Sequence, residues 1–172
     1  SQSDVVTTAN GNIVLVVSGP VVLHDGTGTA DGNALNANGS GNIHLNTTDA
    51  AATLNAGVIS GTGNLTLVAD GAVNQDAAVS TGGGDIRVES VNDLIAMSDG
   101  AVAASSGGSI LYRADQSVAL TFLDAGAGNA AIISSSGDLT DNDSTDDLDL
   151  RSAALALHAA NGIGTGANPL ET

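Results

Sequence analysis

The sequence predicts an all-β fold, a right-handed parallel β-helix (β-solenoid) with three short strands per coil and about seven coils. Three observations carry that reading. A phrase of the form Gly-Asn-Ile-x-Leu returns along the chain at roughly coil-sized intervals. Within each copy, apolar positions alternate with variable ones, as in a half-buried strand. The core material is small and aliphatic: one Phe, one Tyr, one Met and no Trp, with 23 Gly available for turns. A thin interior of Val, Ile, Leu and Ala suits a stack of coils better than a compact sphere.

The copies are Gly11-Asn12-Ile13-Val14-Leu15, Gly41-Asn42-Ile43-His44-Leu45 and Gly63-Asn64-Leu65-Thr66-Leu67. Looser ones begin at Gly84, Gly108, Gly128 and Ala153, giving spacings of 30, 22, 21, 24, 20 and 25 residues. Stacked in register, they place Ile13, Ile43, Leu65, Ile86, Ile110, Ala130 and Leu155 in one inward column. Leu15, Leu45, Leu67, Val88, Tyr112, Ile132 and Leu157 form its neighbour. The same register sets Glu89 beside Arg113 on the outside. About ten residues after each start comes a second apolar position: Val21, Ala51, Val73, Leu94, Val118, Leu139 and Ile163. A third is expected at Val58, Val79 and Val102, and less regularly at Leu148 and Leu150. Turns rich in Gly, Asn, Asp and Ser separate the three, and glycines at these intervals argue against helices. Coils so closely stacked are expected to leave no room inside for aromatic rings.

Three Arg and no Lys stand against 19 acidic residues, a net charge of −16, which disfavours nucleic acid and anionic membrane as partners. With no Cys there is no disulfide scaffold, Cys-based zinc site or thiol chemistry. Neither a signal-peptide pattern nor an apolar run of membrane-spanning length occurs, so membrane insertion is not expected. An export signal would lie outside these residues.

The Gly-Asn-Ile-x-Leu coils, the triplet Gly82-Gly83-Gly84 and the phrases Asn161-Gly162-Ile163-Gly164 and Asn168-Pro169-Leu170-Glu171-Thr172 resemble repeats of large bacterial exoproteins. These are the filamentous-haemagglutinin-like and giant autotransporter-type adhesins. The resemblance spans nearly the whole chain and implies a structural β-helix shaft, extracellular, on a bacterial cell surface of the Gram-negative type. It brings no shared catalytic residues. Residues 1–172 are then one β-helix domain and one unit of a tandem array, whose partners are neighbouring copies stacked head to tail. Host or matrix glycan or protein would be engaged by other parts of the parent protein.

One segment suggests a ligand. In Asp141-Asn142-Asp143-Ser144-Thr145-Asp146-Asp147-Leu148-Asp149, oxygen donors recur at alternate positions, as in loops that bind calcium. Asp141, Asp143, Asp147 and Asp149 are the candidate calcium ligands; the bland alternative is a solvated acidic loop. The central Gly and terminal Glu of a helix-loop-helix site are missing, and so is the Gly-Gly-x-Gly-x-Asp repeat of secreted toxins. Asp25 and Asp31 lie in an insertion that lengthens the first coil. Both insertions are expected between the second and third strands, at one corner of the helix. In an array Asp25 and Asp31 would therefore approach the Asp141–Asp149 group of the adjacent unit and form a calcium site at the junction.

His24, His44 and His158 have no metal-ligand spacing and read as surface residues. Four Asn-x-Ser/Thr triplets, at Asn38, Asn46, Asn64 and Asn142, are matches that arise by chance in such a composition. No Gly-x-Ser-x-Gly nucleophile elbow occurs. The rival reading is a glycan-binding or glycan-cleaving β-helix, but cleavage needs an acidic cluster joined by Arg or Lys and aromatic platforms, and basic and aromatic residues are scarce. The chain is expected not to be an enzyme.

Overall fold

In the computed structural model, which describes residues 4–26, 30–143, 147–166 and 168–172, the chain is a parallel β-solenoid with three sheets. There is no helix among the described residues, hence none long and apolar enough to cross a membrane.

Sheet I holds the Gly-Asn-Ile strands: Ile13–Ser18, Ile43–Thr48, Leu65–Ala69, Ile86–Ser90, Ile110–Ala114, Asn129–Ser134 and Ala154–Ala159. Sheet II holds Val21–Leu23, Ala52–Leu54, Val73–Gln75, Ile95–Met97, Val118–Leu120 and Leu139–Asp141. Sheet III holds Val5–Thr7, Asn33–Ala37, Gly57–Ser60, Val79–Thr81, Val102–Ala104, Phe122–Asp124 and Leu150–Arg151. Every pairing within them is parallel and joins strands one coil apart.

Both predicted columns of sheet I are present residue for residue, from Ile13 opposite Ile43 to Ala130 opposite Leu155, and from Leu15 to Leu157. Period-two alternation turns Ile43 and Leu45 into the core and leaves Val14 63% exposed. Glu89 faces Arg113, with Nη1 to Oε1 at 3.4 Å, and Arg87 also pairs with Glu89.

The other two sheets correct the predicted positions by one residue in places. Ala52 and Ile95, not Ala51 and Leu94, occupy the inward column of sheet II. In sheet III the buried position is Ala103, which faces Val79, and Val102 lies opposite Phe122. The turns between strands differ in length by a residue, so a fixed count from each coil's start slips; Asp49, at φ 63°, sits in one of the longer turns. Leu150 is buried as expected, but Leu148 is 45% exposed. Leu35 and Leu123 complete the sheet III column.

The expectation of an interior closed to rings is also wrong. Tyr112 is fully buried, and its hydroxyl donates to Gln75 Oε1 at 2.6 Å. Gln75 is buried too, and its amide donates to Ala77 O and Val102 O, each at 3.1 Å. A ring is admitted because the hydroxyl finds an acceptor inside the core. Burial pushes the Tyr112 phenol well above its ordinary pKa.

The Gly-Asn phrase has a mechanical reason. Gly41, Gly63, Gly84, Gly108 and Gly128 stack so closely that a Cβ on any of them would overlap the carbonyl oxygen of the glycine one coil below. The next residue then forms a side-chain ladder. Asn42 N donates to Asn12 Oδ1 at 2.8 Å, Asn64 N to Asn42 Oδ1 at 2.8 Å, Asp85 N to Asn64 Oδ1 at 2.9 Å and Ser109 N to Asp85 Oδ1 at 2.7 Å. Each side chain thus satisfies a backbone donor of the next coil. On the inner side of this corner, the buried hydroxyl of Ser60 donates to Gly41 O and Gly63 O, at 2.8 and 2.9 Å.

Two expected outcomes test the register and the corner. Ile86→Asp places a carboxylate in the core and should cost at least about 4 kcal/mol in urea unfolding, whereas Arg87→Asp, on the outer face, should stay within about 1 kcal/mol. Equal losses would mean that the strand register is wrong by one. Gly63→Ala should cost about 2 kcal/mol or more, because backbone must move. Gly166→Ala, with open space around the added carbon, should be within about 0.5 kcal/mol of wild type in the same assay.

Candidate functional site: two carboxylate clusters at one corner

Both acidic insertions leave the solenoid between sheets II and III, as the sequence predicts: one after Val21–Leu23 and the other after Leu139–Asp141. Thr145 and Asp146 lie outside the described residues.

The inward column of sheet II runs Leu23, Leu54, Gln75, Met97, Leu120 and then Asp141. A carboxylate therefore stands where the same column elsewhere carries mostly apolar side chains, and Asp141 is only 8% exposed. Its Oδ1 accepts from Asp143 N at 2.9 Å. The neighbouring Asn142 amide donates to Met97 O at 2.6 Å, pinning the start of the insertion to an earlier coil. Where the insertion returns, Asp147 and Leu148 are exposed and Asp149 is fully buried.

Asp149 meets residues from much later in the chain. Asp149 N and Leu150 N both donate to Glu171 O, at 3.1 and 3.0 Å, and Glu171 N donates back to Asp149 Oδ2 at 2.9 Å. The Asn168 amide donates to Asp141 O and Asp143 O, at 3.3 and 3.2 Å. The carboxylates of Asp141, Asp149 and Glu171 can each offer an oxygen within 4.8 Å of the other two. Asp143 and Asp147, predicted as ligands with Asp141 and Asp149, are not part of that group. The two ends of the segment, Asp141 and Asp149, converge, while Asp147 faces solvent. Glu171 escaped sequence reading because it is remote in the chain and sits in the turn-like phrase Asn168-Pro169-Leu170-Glu171-Thr172.

The second cluster joins Asp25 and Asp31 with Asp4, another residue not singled out by sequence. Here each carboxylate accepts a backbone N–H: Asp4 Oδ1 from Gly26 at 2.6 Å, Asp25 Oδ2 from Gly32 at 3.0 Å and Asp31 Oδ1 from Asn33 at 2.9 Å. Asp31 is exposed and the other two are half-buried. The two clusters thus each assemble from residues of this one chain.

Burial, before any other cause, pushes the Asp149 carboxyl up to about 7; the Glu171 N–H pulls it down, and the Glu171 and Asp141 carboxylates push it up again. No basic side chain relieves the crowding. Arg87 and Arg113 are held by Glu89, and Arg151 by Asp124 at 3.4 Å. His24 contacts Asn55, and His44 and His158 lie on the outer face of sheet I. Such a group can share a proton or hold a hard cation.

Elsewhere, an open groove of about 640 Å³ runs across the outer face of sheet I, past Thr66, Arg87, Leu111, Ala131 and Ala156. Its one carboxylate, Asp85, is engaged in the corner ladder. Comparison with known protein families, with curated proteins and with solved structures finds no match to this chain.

Asp149 sets an expected pH dependence. In chelator, between about pH 4 and about pH 7, the folded chain holds a proton at this site that the unfolded chain has released. The contribution of Asp149 to stability is therefore complete below that window, falls as pH rises through it and is level above. Urea unfolding across the window should show Asp149→Asn gaining on wild type as pH rises, and exceeding it at neutral pH. Parallel profiles would contradict the assignment.

Proposed function

We propose that the chain is a structural shaft segment: a right-handed solenoid of seven coils, displayed outside a bacterial cell, that stacks head to tail with neighbouring copies. The observation that carries this reading is the like-on-like stacking of strands in all three sheets, in which most of the inward positions serve coil packing. A right-handed course is the one that parallel crossover connections adopt in about 98% of cases. The seven strands of sheets I and III support the coil count.

The terminal coils support association. Leu15, Val21 and Leu23 at one end, and Leu157 at the other, are inward residues only partly covered, whereas their equivalents in the middle coils are buried. Another coil laid on either edge would cover them and pair the free backbone groups. The extracellular bacterial setting rests on the likeness of the coil phrases to adhesin repeats. A glycan-cleaving role draws no support from the sheet I groove, where Arg87 is paired with Glu89 and the lining holds no aromatic platform.

Small-angle scattering from one copy and from two copies fused in tandem tests the proposal. The rod should lengthen by about 30–35 Å for the added copy, at ~4.8 Å per coil, with no change in cross-section. A two-copy chain that scatters as two independently tumbling bodies would contradict continuous stacking. Release of unsaturated products from acidic polysaccharides would contradict a purely structural role.

A further inference from the structure

Among the described residues, four side-chain oxygens are sheltered from solvent without a hydrogen-bond partner, and three of them are Asp141 Oδ2, Asp149 Oδ1 and Glu171 Oε2. They belong to the three carboxylates that approach within 4.8 Å of one another. Two of these residues are more than nine-tenths buried, Asp141 at 8% exposure and Asp149 at 0%. The geometry points to a calcium site formed by Asp141, Asp149 and Glu171, which fastens the segment 168–172 to the corner between sheets II and III.

Backbone donors already orient two of the ligands. Asp143 N holds Oδ1 of Asp141 and Glu171 N holds Oδ2 of Asp149, leaving the opposite oxygen of each free for an ion. That division, one oxygen anchored and one open, is how outer contacts fix a carboxylate ligand. The compensating charge does not come from arginine, since all three pair elsewhere, and the chain has no lysine. Three ionised carboxylates in a sheltered pocket are costly without a cation.

The donor set selects the ion. It contains neither His nor Cys, which zinc prefers. Calcium takes oxygens at ~2.4 Å in a flexible arrangement, so three carboxylate oxygens that all lie within 4.8 Å of one another can close on one ion by small side-chain shifts. Magnesium, at ~2.1 Å, demands a tighter octahedron and gives up its waters reluctantly. The ion would join three stretches of chain: the end of sheet II, the entry to the last strand of sheet III, and a residue 22 positions beyond Asp149. The cluster of Asp4, Asp25 and Asp31 offers less, being more open to solvent and with a single oxygen, Asp25 Oδ1, among the sheltered unpartnered atoms of the described residues.

The test is calorimetric titration of the chelator-treated, full 172-residue chain with calcium chloride and then with magnesium chloride, with amide exchange as a second readout. One saturable calcium site is expected, with magnesium at least about ten-fold weaker. Asp149→Asn and Glu171→Gln should each weaken calcium at least about ten-fold, and the exposed Asp147→Asn should leave it unchanged. Calcium should slow exchange of the Asp149, Leu150 and Glu171 amides. Both site variants relieve repulsion, so in chelator they should melt no lower than wild type, which separates a lost site from a lost fold. Should either melt lower, amide exchange in the wild type decides, and no calcium-dependent slowing there would overturn the proposal. It is also overturned by absent calcium binding, by wild-type calcium affinity in either variant, or by magnesium binding as tightly as calcium.

Discussion

Every part of this molecule depends on identical positions of successive coils lying one strand spacing apart, about 4.8 Å. At that distance neighbours along the solenoid axis are in contact, so a residue's environment is set chiefly by its equivalents above and below. The Gly-Asn corner expresses the constraint most fully. Glycine carbonyls lie where any Cβ would be, and the following side chain takes up a backbone N–H of the next coil. Apolar columns obey the same rule, and the buried Tyr112–Gln75 pair is the local solution where a ring and an amide enter the column.

The same constraint organises charge. Most acidic residues lie in turns or on outer faces, where backbone N–H groups or water receive them and the large net charge is tolerated. Among the described residues, only the corner between sheets II and III brings carboxylates inside together. Asp141 occupies a column position held by Leu120 one coil earlier, and Asp149 is covered by the returning segment that carries Glu171. A fold whose stability rests on apolar columns accepts three acidic side chains there at a cost, and that contrast makes the corner chemically distinct from the rest of the solenoid.

Much of the fold was legible in the sequence because stacking makes sequence periodicity a direct image of structure. Both sheet I columns, the Glu89–Arg113 adjacency and the shared corner of the two insertions follow from residue spacing alone. Legibility weakened where turn lengths vary, so Ala51, Leu94 and Val102 were each displaced from the buried neighbour by one residue. It weakened further at the candidate site. Asp141 and Asp149 could be singled out from local acidic density, but Asp4 and Glu171 join their clusters by stacking across coils, and nothing in their immediate sequence marks them. Tyr112 was placed in its column correctly, yet the space for its ring depends on Gln75, 37 residues earlier.

The central claim, that strands one repeat apart lie one coil apart in a continuous stack, can be measured directly because the chain has no native cysteine to remove. Val14, Leu111 and Ala156 occupy one outward column of sheet I, four and then two coil steps apart in the strand order. Pairs of nitroxide labels introduced through Val14→Cys with Leu111→Cys, and Val14→Cys with Ala156→Cys, give two distances by pulsed electron resonance. The account predicts about 19 Å for the first pair and about 29 Å for the second, rising in step with the number of coils between them. Two similar distances, or a second one shorter than the first, would contradict it.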